Sequence, residues 1–324
     1  RQPPTANRQP PTANRQPPTA NRQPPTANRQ PPTANRQPPT ANRQPPDAMP
    51  KLNTAIVTLK DLLQSAIDSP RCTFDALRIL PAIAQGLQFS RSGNFPAPPE
   101  KPQDSAAETN PLRAYFDAHT EGPGLWKWMH YFDIYHRHFQ KFIGKEVHVL
   151  EVGIYSGGSL GMWREYFGKG CHIYGMDIEP ACKSYETEGT DVFIGDQSDR
   201  GFWKKFREQV PKVDIVIDDG SHDAEHQRIT LEELLPHIQP GGVYLCEDIG
   251  SSANRFGGYM SGLACHMNTA KKTVEEFDAP MIPSPFQASV KSVIQYPFVS
   301  VIEKHEHHKG LFISKKHGTE WQPY

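Results

Sequence analysis

From Val147 to Ile249 five short apolar runs alternate with amphipathic segments, and no other feature limits the possible folds as much. The apolar runs lie at 147–152, HIYGMDI (172–178), DVFIGD (191–196), VDIVIDDG (213–220) and GGVYLCEDI (241–249). Helical patterns fall between them, near 159–167, around 180–186, at RGFWKKFREQV (200–210) and at AEHQRITLEELLPHI (224–238). Strand, helix and strand in series predict a mostly parallel sheet with helices on both faces. Two β-rich stretches, 289–304 and 310–316, predict an antiparallel C-terminal edge.

The first strand runs into a loop of small residues. Val147–Val152 is followed by Gly153, Ile154, Tyr155, Ser156, Gly157, Gly158 and Ser159, then by the helix LGMWREYF. Small residues let a ligand press against the backbone, and the next helix offers unpaired N–H groups. In open sheets of this class ligands sit beyond the carboxyl ends of the strands. Each of those ends carries an acid: Glu151, Asp177, Asp196 beside Gln197, Asp218 with Asp219, and Glu247 with Asp248.

An acidic rim disfavours a dinucleotide pyrophosphate, and the spacing ExGxxxGG is not GxGxxG. The rim suits a cationic ligand with a ribose diol and an ammonium group, which describes S-adenosylmethionine. Asp177 stands 24 residues after Gly153, where a carboxylate accepts both ribose hydroxyls. Asp196 is placed for the adenine amino group and Glu151 for the amino-acid end. Gly153, Tyr155, Ser156, Gly157 and Ser159 form the expected cofactor loop, with Gln197 and Asp218 at its far side.

The segment from Lys127 to about Asp248 resembles the metal-dependent class I O-methyltransferases. It is similar to the mycinamicin-type macrolide-sugar enzymes and the cephalosporin hydroxylase/methylase group. The matching pieces are KWMHYFDIYHRHF, LEVGIYSGGSLGMW, IYGMDI, IGDQSD, DIVIDDGSH and LLPHIQPGGVYLCEDI. The resemblance implies a Rossmann-like methyltransferase fold, S-adenosylmethionine and Mg²⁺. It implies Asp219, Glu247 and Asp248 as metal ligands, His222 as general base, and Asp177, Asp196 and Gln197 as cofactor contacts. It also places Lys127, His130 and Tyr131 at the cofactor mouth. The family often continues the acidic pair with a Leu-His-Thr-Ser-Tyr-like run. This chain has Ile249-Gly250-Ser251-Ser252-Ala253-Asn254 instead, on the loop that faces the acceptor.

Such chemistry is consistent with the residue types. An alcohol is a poor nucleophile at neutral pH, so the acceptor must be oriented and deprotonated. Three hard oxygen ligands suit Mg²⁺, and no Cys/His quartet has zinc spacing. His222 follows Asp219 by three residues on the turn into the next helix, where an imidazole can take a proton. Ser221 is expected to cap that helix, with Asp223 supporting its first turn. The aromatic segment LWKWMHYFDIYHRHFQKF (125–142) reads as one core helix. FGGYMSG (256–262) reads as a substrate loop or a turn, and His305–His308 as a solvated hairpin turn.

The remainder of the chain differs in kind. Residues 1–42 are six copies of RQPPTAN, and a degenerate seventh ends at Met49. Two prolines per repeat exclude a coiled coil and predict a disordered, polyproline-leaning tail. A helical segment (50–92) interrupted at Pro70 and Pro81 follows, then a linker (93–112), then the methyltransferase domain (113–324). The tail holds seven Arg and one Asp, leaving 28 basic and 35 acidic residues for 50–324. That balance disfavours a nucleic-acid-coating surface. No run approaches the ~18 apolar residues of a membrane span, and no signal peptide is visible. The chain begins at Arg1 rather than Met, as a fragment or processed form would. Five cysteines without a CxxC predict reduced thiols and a cytoplasmic protein.

The expected function is therefore S-adenosylmethionine-dependent, Mg²⁺-assisted methyl transfer to a hydroxyl of a sugar-containing or other small molecule. No nucleic-acid or membrane partner is expected, and the helical segment allows a homo-oligomer. The competing readings are an NAD(P)-dependent oxidoreductase and a non-catalytic S-adenosylmethionine-binding module.

Overall fold

A computed structural model describes residues 52–92, 95, 110–250, 254–269, 280–315 and 317–319. The repeat tail and most of the 93–112 segment lie outside the described residues. The chain divides into two units, Arg1–Gln85 and Gly86–Tyr324. Helix α1 (Leu52–Asp68) ends at Ser69, and α2 (Pro70–Ser92) begins on Pro70. Proline suits a first helical turn because its missing N–H has no intrahelical partner there. Pro81 was expected to break the helix, yet it lies within α2. It removes one backbone hydrogen bond without ending the run. Among the described residues no helix is long and apolar enough to cross a membrane.

The second unit is built on a seven-stranded sheet. Its elements in chain order are α3 (Pro111–Ala118), α4 (Tyr131–Phe139), β1 (Val147–Val152), α5 (Gly158–Phe167), β2 (Cys171–Asp177), β3 (Thr190–Ile194), α6 (Arg200–Gln209), β4 (Val213–Asp218), α7 (Ala224–Leu234), β5 (Ile238–Cys246), α8 (Arg255–Met267), α9 (Pro285–Ser289), β6 (Val290–Tyr296) and β7 (Val299–Lys304). The strand order is β3-β2-β1-β4-β5-β7-β6. Strands β1 to β5 are parallel, and β7 runs antiparallel to both β5 and β6. Strand order reverses between β1 and β4, so a crevice opens beyond their carboxyl ends.

Alternation along each strand builds two cores. Val147, Val149, Ile173, Ile215, Ile217, Val243 and Leu245 face one layer, with Trp163, Phe139 and Tyr135 from the helices. Leu150, Val152, Tyr174, Met176, Val216 and Tyr244 face the other, with Trp203, Phe206, Leu231 and Met260. Period-two alternation with both faces apolar is the signature of a sheet covered on both sides. Truncating fully buried Trp163 or Trp203 to Ala would cost about 3–5 kcal/mol.

Several local expectations need correction. Segment 125–142 is not one helix: residues 125–130 are non-helical and α4 begins at Tyr131. FGGYMSG lies inside helix α8, because Phe256 and Met260 bury completely against the second core and outweigh the poor helix propensity of its glycines. The segment around 180–186 is a 3₁₀ helix, Pro180–Tyr185. The edge hairpin forms wholly within 290–304, and among the described residues of the 310–316 stretch the strand pairing is a Met281–Phe312 bridge. His305–His308 follows β7 and does not sit in the hairpin turn. Cys171, Cys182 and Cys246 are buried free thiols, and Cys72 and Cys265 are exposed free thiols.

Candidate active site

The loop after β1 crosses directly over the loop after β4. Gly153 has φ +85°, and an ideal Cβ on it would lie 2.2 Å from the Asp219 carbonyl oxygen. Any side chain there would push apart the two loops that carry the site. At Gly220 a Cβ would fall 2.1 Å from Gln197 Oε1, so a side chain there would displace that amide rather than backbone. Helix α5 starts on Gly157, at φ 75°, which supplies no side-chain cap.

On the cofactor side, Asp177 closes β2 and accepts the N–H groups of Tyr155 (2.9 Å) and Glu179 (2.9 Å). It thereby fixes the loop around Tyr155, a residue that is 80% exposed. Asp196 is exposed, and hydrogen bonds from Ser198 hold its carboxyl below the ordinary range. Both remain available to a ligand at the rim. Ser159 is buried and donates to Glu151 Oε2 at 2.7 Å. Glu151 Oε1 is buried without a hydrogen-bond partner. The buried Trp163 Nε1–H also lacks a partner by the same geometry and lies close enough to lower the Glu151 carboxyl, so the indole is the nearest donor to it within the protein.

Gln197 and Asp218 do not fit their expected roles as cofactor contacts. Both are buried, and their side chains are committed to the protein. Gln197 Nε2 donates to Asp218 Oδ1 (3.1 Å) and Thr230 Oγ1 (3.1 Å), and its Oε1 accepts the Ser221 N–H (2.6 Å). Tyr244 donates to Asp218 Oδ2 at 2.8 Å. Burial pushes the Asp218 carboxyl up to about 6, against the hydrogen bonds from Tyr244 and Gln197. These two residues anchor the turn that carries His222.

On the chemical side, Asp219, His222 and Asp248 each offer a ligand atom, and these atoms lie within 4.8 Å of one another. His222 Nε2 stands 3.6 Å from Asp248 Oδ2 and 4.0 Å from Asp219 Oδ1. His222 and Asp248 hold left-handed backbone conformations, φ 59° and 53°. Tyr131 donates to Asp248 Oδ1 at 2.6 Å and accepts the Asp248 N–H at 3.3 Å. Ser221 does not cap α7: Asp223 does, accepting from Glu225 and His226 N–H, while Ser221 Oγ pairs with His226 Nδ1 at 2.9 Å.

Glu247 was expected beside Asp219 and Asp248 as a metal ligand. Its carboxylate is buried and already bonded, whereas Asp248 is half-exposed. Tyr135 donates to Oε1 at 2.6 Å, and Lys127 Nζ lies 3.0 Å from Oε2. The same ammonium lies 2.5 Å from Asp219 Oδ2 and 3.9 Å from Glu151 Oε1. Burial alone would discharge Lys127, but Asp219, Glu247 and Glu151 outweigh it and hold the ammonium above its ordinary range. Burial raises Asp219, Glu151 and Glu247, opposed in each by Lys127. Lys127 and Tyr131 thus bond Asp219 and Asp248, and His130 bonds the Pro297 carbonyl at 3.1 Å. Tyr135 and Tyr244 are polar only at the tip, so a sequence reading as core aromatics could not single them out.

Residues 150–249 match a family model described as a methyltransferase domain. The chain is 43% identical over 132 residues to demethylmacrocin O-methyltransferase of Streptomyces fradiae, covering 38% of this chain and 33% of that protein. It is 33% identical over 208 residues to 8-demethyl-8-(2-methoxy-alpha-L-rhamnosyl)-tetracenomycin-C 3'-O-methyltransferase of Streptomyces olivaceus, covering 58% of this chain and 52% of the relative. It therefore spans about a third to a half of these relatives' lengths. A crystal form of the MycE methyltransferase from the mycinamycin biosynthetic pathway, in complex with Mg and SAH, superposes with a TM-score of 0.50 at 25% identity, over 75% of this chain and 63% of that one. The strand order and these likenesses together give the second unit a class I methyltransferase fold.

Proposed function

We propose that the chain transfers a methyl group from S-adenosylmethionine to a hydroxyl of a sugar-containing small molecule, assisted by Mg²⁺. The observation that carries this is the convergence of Asp219, His222 and Asp248 at the crossing of the Gly153 loop with the β4 loop. The relatives named for methylating rhamnosyl compounds support a sugar acceptor.

The residues fit both groups. Asp177 and Asp196 offer carboxylates at the rim where a ribose and an adenine amino group would lie. The orphaned Glu151 Oε1 suits a cofactor ammonium or a bridging water. Asp219 and Asp248 are hard oxygen donors of the kind Mg²⁺ prefers, close enough to share one ion, and Glu247 is joined to Asp219 through Lys127. When bound, the ion would supply a Lewis acid for the acceptor oxygen.

The protein's own part is proton transfer and positioning. His222 Nε2 takes the acceptor's proton, and the flanking carboxylates of Asp248 and Asp219 stabilise the resulting imidazolium. Tyr131 fixes Asp248, and Gln197 fixes the turn below His222, so the base needs little reorganisation. The free thiols support a cytoplasmic location, and the acidic balance of 50–324 argues against a nucleic-acid partner.

The test is direct. Purified protein with S-adenosylmethionine, Mg²⁺ and a panel of glycosylated small molecules should release S-adenosylhomocysteine and add one methylene mass to an acceptor. Calorimetry should show S-adenosylhomocysteine binding and no NAD(P) binding. Tight NAD(P) binding without S-adenosylhomocysteine binding would overturn the reading. Cofactor binding with no Mg²⁺ effect across the panel would point to a non-catalytic binding module.

A further inference from the structure

We propose that Lys127 is a positioning residue that serves as the site's built-in counter-cation, joining the cofactor end to the metal end and setting the affinity for the divalent ion. This rests on the methyltransferase reading above.

Three observations carry it. First, a single ammonium reaches three carboxylates from three strands: Glu151 within β1, Asp219 just after β4 and Glu247 just after β5. Second, its surroundings are dry. The side chains of Lys127, Glu151 and Glu247 are 3%, 1% and 1% exposed, so these charges are barely screened by solvent. Third, the balance is incomplete. Glu151 Oε1 still lacks a hydrogen-bond partner, so the cluster has acceptor capacity beyond what one ammonium satisfies.

Lys127 reaches the cluster from the non-helical segment before α4, outside the sheet that presents the acids. Without it, Glu151, Asp219 and Glu247 would face one another unneutralised in a low-dielectric interior, which is costly. With it, the three side chains keep fixed positions before any ion or cofactor arrives. A divalent ion approaching Asp219 and Asp248 meets a positive charge already bonded to Asp219. Lys127 therefore weakens ion binding while keeping the site ordered. Because the ammonium also faces Glu151, occupancy at either end is felt at the other, and such linkage is reciprocal.

The experiment measures Mn²⁺ binding by calorimetry on full-length wild type, K127M and K127R, each checked for folding by circular dichroism. K127M is expected to bind Mn²⁺ at least tenfold more tightly than wild type. K127R, which keeps the charge, is expected to stay within about threefold. K127M is also expected to gain more thermal stability from Mn²⁺ than wild type gains. A folded K127M with wild-type or weaker Mn²⁺ affinity would overturn the proposal. If K127M fails to fold, wild type decides alone: its slowly exchanging Nζ–H signal, identified by its absence from K127R, should shift on Mg²⁺ saturation, and an unmoved signal would overturn the proposal. Absence of any divalent-ion binding by wild type would count instead against the metal-assisted reaction itself, and so separates the two failures.

Discussion

Gln197 links Asp218 to Ser221: its amide donates to the buried carboxylate of one and accepts the backbone N–H of the other. A residue from the loop after β3 thereby ties the end of β4 to the turn bearing His222. Replacing Gln197 with Ala should leave Asp218 short of a donor and release that turn. An unsatisfied buried group costs about 1–3 kcal/mol, so the melting temperature should fall by several degrees. Turnover should drop about tenfold or more through misplacement of His222, while S-adenosylhomocysteine affinity changes little. A matching loss of cofactor affinity would instead make Gln197 a ligand contact.

His222 and Asp177 stand at opposite ends of the crevice and should fail in opposite ways. His222→Ala is expected to lower the turnover number about 100-fold or more, the usual range for a lost general base, with cofactor affinity nearly unchanged. Asp177→Ala should weaken S-adenosylhomocysteine binding about tenfold and largely preserve turnover at saturating cofactor. Calorimetry paired with saturation kinetics separates the two. Equal cofactor loss in both variants would contradict the assigned roles.

Gly153→Ala is a small change with a large expected effect. The added methyl would meet the Asp219 carbonyl at 2.2 Å, and the backbone is already at φ +85°. The expected outcome is either insoluble protein or a folded protein with no measurable cofactor binding. Circular dichroism and calorimetry on the soluble fraction check it. Wild-type binding in this variant would show that the two loops separate freely.

The sheet edge should show acid sensitivity. His138 Nδ1 bonds Glu303 Oε1 at 2.8 Å, and this bond, with Lys291 nearby, pulls the Glu303 carboxyl down to about 2 against the opposing effect of burial. An unfolded glutamate titrates near about 4.3. A depressed carboxyl stabilises the fold above its unfolded pKa and loses that contribution as the pH falls through the folded value. The stability advantage of wild type over Glu303→Gln should therefore be full above about pH 5 and shrink between about pH 4 and 2. Urea midpoints of the two proteins across that range measure it; a constant gap would contradict it.

Much of this architecture is legible from residue pattern, because strand–helix alternation and acids at strand ends are local signals. The DDGSH turn brings His222 Nε2 to 4.0 Å from Asp219 Oδ1, a nearness its short spacing allows. What failed is the assignment of adjacent acids. Asp218 and Asp219 look alike in a string, but alternation sends Asp218 into the second core with Tyr244 and leaves Asp219 at the crevice. Glu247 and Asp248 differ in burial but not in face, since both accept from tyrosines of α4. Segment 125–142 misled for another reason. Its aromatic spacing fits a helix throughout, but Lys127 reaches the three buried carboxylates from a non-helical stretch. No local propensity encodes a partner 92 or 120 residues away.

Tyr155, His222, Asp248 and Phe298 are the described residues other than glycine with positive φ, and all four gather at one end of the sheet. Phe298 joins the others because its carbonyl accepts the Ile249 N–H at 2.9 Å. Left-handed backbone costs an ordinary residue about 1–2 kcal/mol. Directed evolution for heat resistance alone should therefore drift toward glycine at these four positions. At His222 and Asp248 such a gain would remove a side chain from the candidate site, and the hardiest variants would be the least active.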